Sequence, residues 1–230
     1  DALLPVYGLA ESAVALTFPP IAHPPRIDNV AREPFERHHL AVPASPSEPS
    51  PLRFVSCGVP LPGHQVRIVN EKGQELGERI EGSLQFRGPS AMKGYFQAPE
   101  ATQAVYHDGW WDSGDLAYRS NGEIFVTGRR KDVIIKAGRN LYPQEVEEIA
   151  GEVTGVRKGC VTAFGVSDPT MGTERLIVVA ETREAREELR EQITSAVIER
   201  IAATLGIPPD LVFLVPPGAI PKTSSGKLRR

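Results

Sequence analysis

Residues 128–147 read Gly128-Arg129-Arg130-Lys131-Asp132-Val133-Ile134-Ile135-Lys136-Ala137-Gly138-Arg139-Asn140-Leu141-Tyr142-Pro143-Gln144-Glu145-Val146-Glu147. Two β-branched runs, Ile124–Val126 just upstream and Val133–Ile135 inside the stretch, flank a charged connection, as in a strand pair. Pro143 suits a first helical turn, and Gln144–Ala150 follows as a short helix with its acidic residues early. Further on, Cys160–Val166 and Leu176–Thr182 have strand character. Leu189, Ile193, Val197, Ile201 and Leu205 recur every four residues through charged sequence, which predicts an amphipathic helix over 184–205, stopped by Gly206 and Pro208. Leu211–Val215 is a last short strand. The order strand, helix, strand, strand, helix, strand predicts a small α+β domain of about 100 residues.

Upstream the texture changes. Residues 19–51 are rich in proline and broken by charge, which predicts a long, mostly irregular insertion without a regular ladder or long helix. Residues 53–69 hold two strand-like runs broken by Pro62-Gly63, and turn signals and GSLQFRG follow. Short strands with dense turns predict a small β-rich subdomain, a distorted barrel. The fold class is thus α+β, with a boundary expected between residues 1–128 and 129–230.

The 230 residues carry a net charge of −3, so a general nucleic-acid or anionic-membrane binder is not expected. No run approaches the ~18 apolar residues of a membrane span. Cys57 and Cys160 lie far apart in apolar surroundings, which predicts buried free thiols and a cytoplasmic location. The chain begins on Asp1 without a methionine and reads as part of a longer protein.

Three separated segments carry the chemistry. They are Tyr7-Gly8-Leu9-Ala10-Glu11-Ser12; Ser113-Gly114-Asp115 with the 128–147 stretch; and Pro221-Lys222-Thr223-Ser224-Ser225-Gly226-Lys227. In this order and spacing they resemble the adenylate-forming superfamily of acyl- and aryl-CoA synthetases, luciferases and peptide-synthetase adenylation domains. YGLAES, VSCGVPLPG and GRNLYPQEVE look most like fatty acyl-AMP ligases and fatty acyl-CoA synthetases, with Ala10 where a threonine is usual.

The resemblance implies an ATP-dependent ligase that activates a carboxylic acid, fatty in this branch, as acyl-AMP. The acyl group then passes to a thiol, the phosphopantetheine of a carrier protein or CoA. It also implies that residues 1–128 end a large adenylate-binding domain and that 129–230 form a mobile C-terminal domain. A fatty acyl-CoA synthetase is the nearest alternative, and a non-catalytic adenylate- or carrier-binding module is one of another class.

Attack of a carboxylate on the α-phosphate brings two anions together, so the site must neutralise charge and fix an in-line geometry. Glu11 is the candidate Mg²⁺ ligand, a hard oxygen donor beside the phosphates. Tyr7 would flank adenine, with Gly8 admitting close backbone approach, and Asp115 would accept hydrogen bonds from the ribose hydroxyls. The resemblance sends Arg129 to ribose or phosphate, makes Lys131 a hinge and places Gly138 on the pantetheine channel. Lys227 would bridge carboxylate and α-phosphate where negative charge develops. Each residue also fits a plainer role: a loop carboxylate at Glu11, a core aromatic at Tyr7, an Asx turn at Asp115, a surface cation at Arg129, a basic tail at Lys227. By the same resemblance, residues 19–51 sit where fatty acyl-AMP ligases carry an insertion that packs on the mobile domain. Ile27, Val30, Phe35 and Leu40 would be its apolar anchors.

Overall fold

The computed structural model describes residues 4–21, 24–168, 172–224 and 228, and the chain forms two compact units, Asp1–Lys131 and Asp132–Arg230. The elements of the first are β1 (Thr17–Phe18), β2 (Ile27–Val30), α1 (Arg32–His38), β3 (Leu52–Val55), β4 (Val59–Pro60), β5 (Gln65–Val69), β6 (Gly82–Arg87), α2 (Pro99–Val105), β7 (Tyr106–His107), β8 (Trp110–Ser120) and β9 (Glu123–Arg129). A five-stranded antiparallel sheet runs β5-β6-β8-β7, with β9 also on β8. Its buried face carries Leu84, Phe86, Ala117 and Ile124, with Ile68 and Trp111.

The proline-rich segment is more ordered than its composition predicts. β2 pairs antiparallel with β3, and α1 accommodates Pro34 in its first turn, where the missing N–H has no helical partner to lose. Phe35 is wholly buried in this unit, with its ring 5.0 Å from Phe54 and 6.0 Å from Tyr118. Tyr118 in turn stacks on Phe125. Val30 is buried as well, whereas Ile27 and Leu40 are 45% and 39% exposed. Two of the four expected anchors therefore belong to the core of their own unit.

The second unit holds β10 (Ile134–Lys136), β11 (Arg139–Leu141), α3 (Pro143–Gly151), β12 (Val156–Asp168), β13 (Thr173–Thr182), α4 (Glu187–Leu205) and β14 (Leu211–Val215). The sheet order is β12-β13-β14, with β12 antiparallel and β14 parallel to β13. Helix α4 presents Ile193, Val197, Ile201 and Leu205 to the sheet, and Val146 and Ile149 of α3 join the same core. The four-residue repeat thus marks the buried stripe, and Gly206 ends the helix at φ +70.

The pairing of the two β-branched runs differs from expectation. Ile124–Val126 pairs with β8, and Val133–Ile135 contributes to the β10–β11 hairpin of the other unit. The long strand β8 takes the place of the expected partner of Ile124–Val126. Cys57 is half-buried rather than buried, Cys160 is buried, and both are free thiols. No helix among the described residues is long and apolar enough to cross a membrane.

Candidate active site

Asp115 lies within β8. The hairpin from β8 to β9 turns on Asn121-Gly122, both at positive φ, so Ser120 pairs with Glu123. Counting back from that turn in regular register, Asp115 would face Gly128. A bulge at Thr127 adds one residue to β9, so that Leu116 pairs with Gly128 and Asp115 with Arg129. The bulge therefore makes the ion pair from Arg129 Nε to Asp115 Oδ1, 3.3 Å long. Ser113 fixes the backbone of Asp115: its hydroxyl donates to the Leu84 carbonyl at 2.8 Å and accepts from the Asp115 backbone amide at 3.1 Å.

Tyr7 reaches the same carboxylate from the other end of the unit, its hydroxyl donating to Asp115 Oδ2 at 2.5 Å. Its backbone pairs with Thr17, which closes the loop of residues 8–16. Gly8 has a steric reason inside that loop, because a Cβ there would lie 1.9 Å from the Val14 carbonyl oxygen. Burial pushes the Tyr7 phenol well up, and the adjacent Asp115 charge adds to this, so Tyr7 stays a neutral donor. Burial likewise raises Asp115, while the Tyr7 hydrogen bond and Arg129 pull the other way.

Glu11 stands in the short 3₁₀ turn Ala10–Ser12, and its charge contributes to the upward pressure on Asp115. Its backbone carbonyl accepts the Met92 amide at 2.8 Å, and its Oε1 accepts the Tyr95 hydroxyl at 2.9 Å. Ser12 and Ser90 share a hydrogen bond at 3.0 Å, and Ser90 meets His64 Nε2 at 2.6 Å. These contacts tie the Glu11 turn to the 88–95 loop. Tyr95, Ser90 and His64 went unremarked in the sequence, where only the Gly/Pro punctuation of that loop stood out.

No group of three or more His, Cys, Asp or Glu suited to a metal occurs among the described residues. A single carboxylate fits Mg²⁺, which keeps waters and substrate phosphates as its other ligands, rather than a metal caged by protein.

The site thus gathers Tyr7, Asp115 and Arg129, with Glu11 alongside. Gly138 belongs to the second unit, in the tight β10–β11 turn, where φ +70 at Gly138 follows φ +51 at Ala137. That turn alone favours glycine. Lys227 lies outside the described residues.

The chain is similar in sequence and fold to known proteins. The family described as AMP-binding enzyme matches residues 1–96. The chain is 38% identical over 226 residues to a Caulobacter vibrioides protein named "Putative acyl-CoA synthetase", covering 97% of this chain and 39% of that one. It is 33% identical to the medium-chain-fatty-acid–[acyl-carrier-protein] ligase JamA of Moorena producens, covering 100% of this chain and 41% of the relative. Among solved structures, one from a study of fatty acyl-adenylate ligases of E. coli and L. pneumophila superposes with TM-score 0.89 at 37% identity. It covers 99% of this chain and 40% of that one. The chain spans about two-fifths of the length of the relatives it matches.

Proposed function

Because the chain belongs to the AMP-binding enzymes, we propose that it carries the C-terminal part of a ligase site that activates a carboxylic, fatty acid as its acyl-AMP and hands the acyl group to a thiol. The observation that carries the reading is the convergence of Tyr7 and Arg129, 122 positions apart, on the buried Asp115 carboxylate beside Glu11.

In this reading Asp115 accepts the ribose hydroxyls, and Tyr7 and Arg129, which both contact its carboxylate, set its orientation. Arg129, more than half exposed, turns toward ribose or phosphate. Glu11 would hold Mg²⁺, and the ion would supply positive charge beside the phosphates. Lys227 places a positive charge at the α-phosphate, and Gly138 leaves room for a pantetheine arm. Residues near 129–131 act as the hinge between the adenylating and thiol-transfer poses.

The acceptor is the phosphopantetheine of a carrier protein. The relative named as an acyl-carrier-protein ligase supports this. The 27–42 segment supports it less than its composition suggested, because Phe35 and Val30 are already buried in their own unit. CoA is the alternative acceptor.

The test is pyrophosphate exchange over a panel of fatty acids by the full-length protein, with CoA and a phosphopantetheinylated carrier as acceptors. Exchange dependent on a fatty acid is expected, with faster transfer to the carrier. The 230-residue chain alone should make no acyl-AMP, since positioning supplies most of the rate in phosphoryl transfer and this chain spans only two-fifths of its relatives. Pyrophosphate release by the chain alone would contradict that division of the site.

A further inference from the structure

Glu181 is a carboxylate at 1% exposure in β13, on the face of the strand opposite the core side chains Leu176, Val178 and Ala180. A buried charge is retained only when it is well partnered. Its partners all come from two places. One is a bulge in β12: the register slips between the pairs Val156–Thr182 and Val161–Ala180, so residues 157–160 stand opposite Glu181 alone. From that bulge Arg157 forms an ion pair with Glu181.

The other is the segment leaving β14. Glu181 registers with Val215, the last residue of that strand. Pro216-Pro217-Gly218-Ala219 then makes a turn, closed by the Ala219 amide on the Pro216 carbonyl at 3.2 Å, with Gly218 at φ +85. Proline second and a left-handed glycine third are the signature of a type II turn. The turn directs the Ile220 amide at the carboxylate, where it donates to Glu181 Oε1 at 3.0 Å.

The same bulge holds the next residues. Lys222 Nζ donates to the Gly159 carbonyl at 2.9 Å and lies 3.4 Å from Cys160 Sγ. Gly159, at φ +70, is one of the bulged residues without a partner in the β12–β13 ladder. Lys222 also pairs as an isolated antiparallel bridge with Leu228. The two flanks of residues 223–227 are therefore joined to each other and anchored to the β12 bulge, and Glu181 fixes the turn that leads into them.

We infer that Glu181 is a positioning residue for the lysine-bearing C-terminal segment: with Arg157 and the β12 bulge it clamps the Pro216–Lys222 approach that sets where Lys227 can reach. This rests on the proposed role of Lys227 in adenylation. An alanine at 181 would leave the Ile220 amide and the Arg157 guanidinium without this acceptor.

The test uses the full-length protein with Glu181→Ala, Glu181→Gln, Gly218→Ala and Lys227→Ala. Gly218→Ala disturbs the turn through its positive φ while meeting no neighbour within 4 Å, so it probes the clamp without opening the core. Hydrogen exchange at the Ile220 amide should speed up by about tenfold or more in Glu181→Ala, and less in Glu181→Gln, which keeps one acceptor. Acid-dependent pyrophosphate exchange should fall on the order of 10- to 100-fold in Glu181→Ala and Gly218→Ala, as expected for a misplacement of about 1 Å of a group that must meet the substrate. Glu181→Gln should recover part of that loss. Thiol capture of supplied acyl-AMP, which does not use Lys227, should stay within about threefold.

The inference is overturned if Glu181→Ala and Gly218→Ala keep wild-type pyrophosphate exchange while Lys227→Ala loses it. Equal loss of both half-reactions also overturns it, because that marks a general folding defect. If Lys227→Ala itself exchanges normally, the underlying reading of the site fails, and this inference with it.

Discussion

Replacing Phe35 by alanine tests whether residues 27–42 are a detachable insertion or part of the first unit's core. The ring has no exposure and lies 5.0 Å from Phe54 and 6.0 Å from Tyr118. Truncating a buried phenylalanine costs about 3–5 kcal/mol, from lost transfer energy and the cavity left behind. Aromatic pairing contributes about 0.5–1.5 kcal/mol beyond buried area, which favours the upper half of that range. With a urea m-value of about 2 kcal/mol/M for a unit of this size, the unfolding midpoint should drop by about 2–2.5 M. The chain reports this cleanly, because both of its tryptophans, Trp110 and Trp111, lie in the first unit. Ile27→Ala, at a side chain 45% exposed in the same segment, is the control and should shift stability by about 0.5 kcal/mol or less. If Phe35→Ala melts no earlier than Ile27→Ala, the aromatic cluster is not structural and the insertion reading of 19–51 returns. Shortening 19–51 to favour CoA as acceptor would then be feasible; with Phe35 in the core it should unfold the unit instead.

Two further outcomes are expected. Lys227→Ala in the full-length protein should reduce pyrophosphate exchange on the order of 10²–10³-fold and spare thiol capture of supplied acyl-AMP, as for removal of one preorganised charge; wild-type exchange would leave the residue a basic tail. His39 is held above its usual 6.5 by its hydrogen bond to the buried Glu81 carboxylate at 2.8 Å, with burial opposing. A raised folded value means that the stability it adds is complete below pH 6.5 and lost as pH rises through the folded value. The difference in tryptophan-detected urea midpoint between wild type and His39→Gln should therefore shrink from about pH 6 to about pH 9; a constant difference would remove His39 from that role.

What the sequence determined by itself is what local spacing encodes. The four-residue repeat ending at Leu205 marks a helical stripe because 3.6 residues per turn puts those side chains on one face, and Gly206 stops it by taking a left-handed φ. Pro143 marks the start of α3 because its missing N–H has no partner in a first turn. The three motif segments were legible, and with them Tyr7, Glu11, Asp115 and Arg129 as candidates. Which of those residues meet was not. Tyr7 and Asp115 are 108 positions apart, and no local window relates them. Asp115 faces Arg129 rather than Gly128 through one extra residue in β9, a register choice that depends on the whole ladder from the Asn121-Gly122 turn onward. Phe35 stood out as an anchor but its partners did not, for the same reason: composition reports how poorly a stretch forms its own ladder, while burial depends on the Phe54 and Tyr118 rings brought to it by other strands. Glu181 reads in the sequence as one more charge near a strand end; only the bulge opposite it and the turn after β14 supply the donors that make a buried carboxylate stable there.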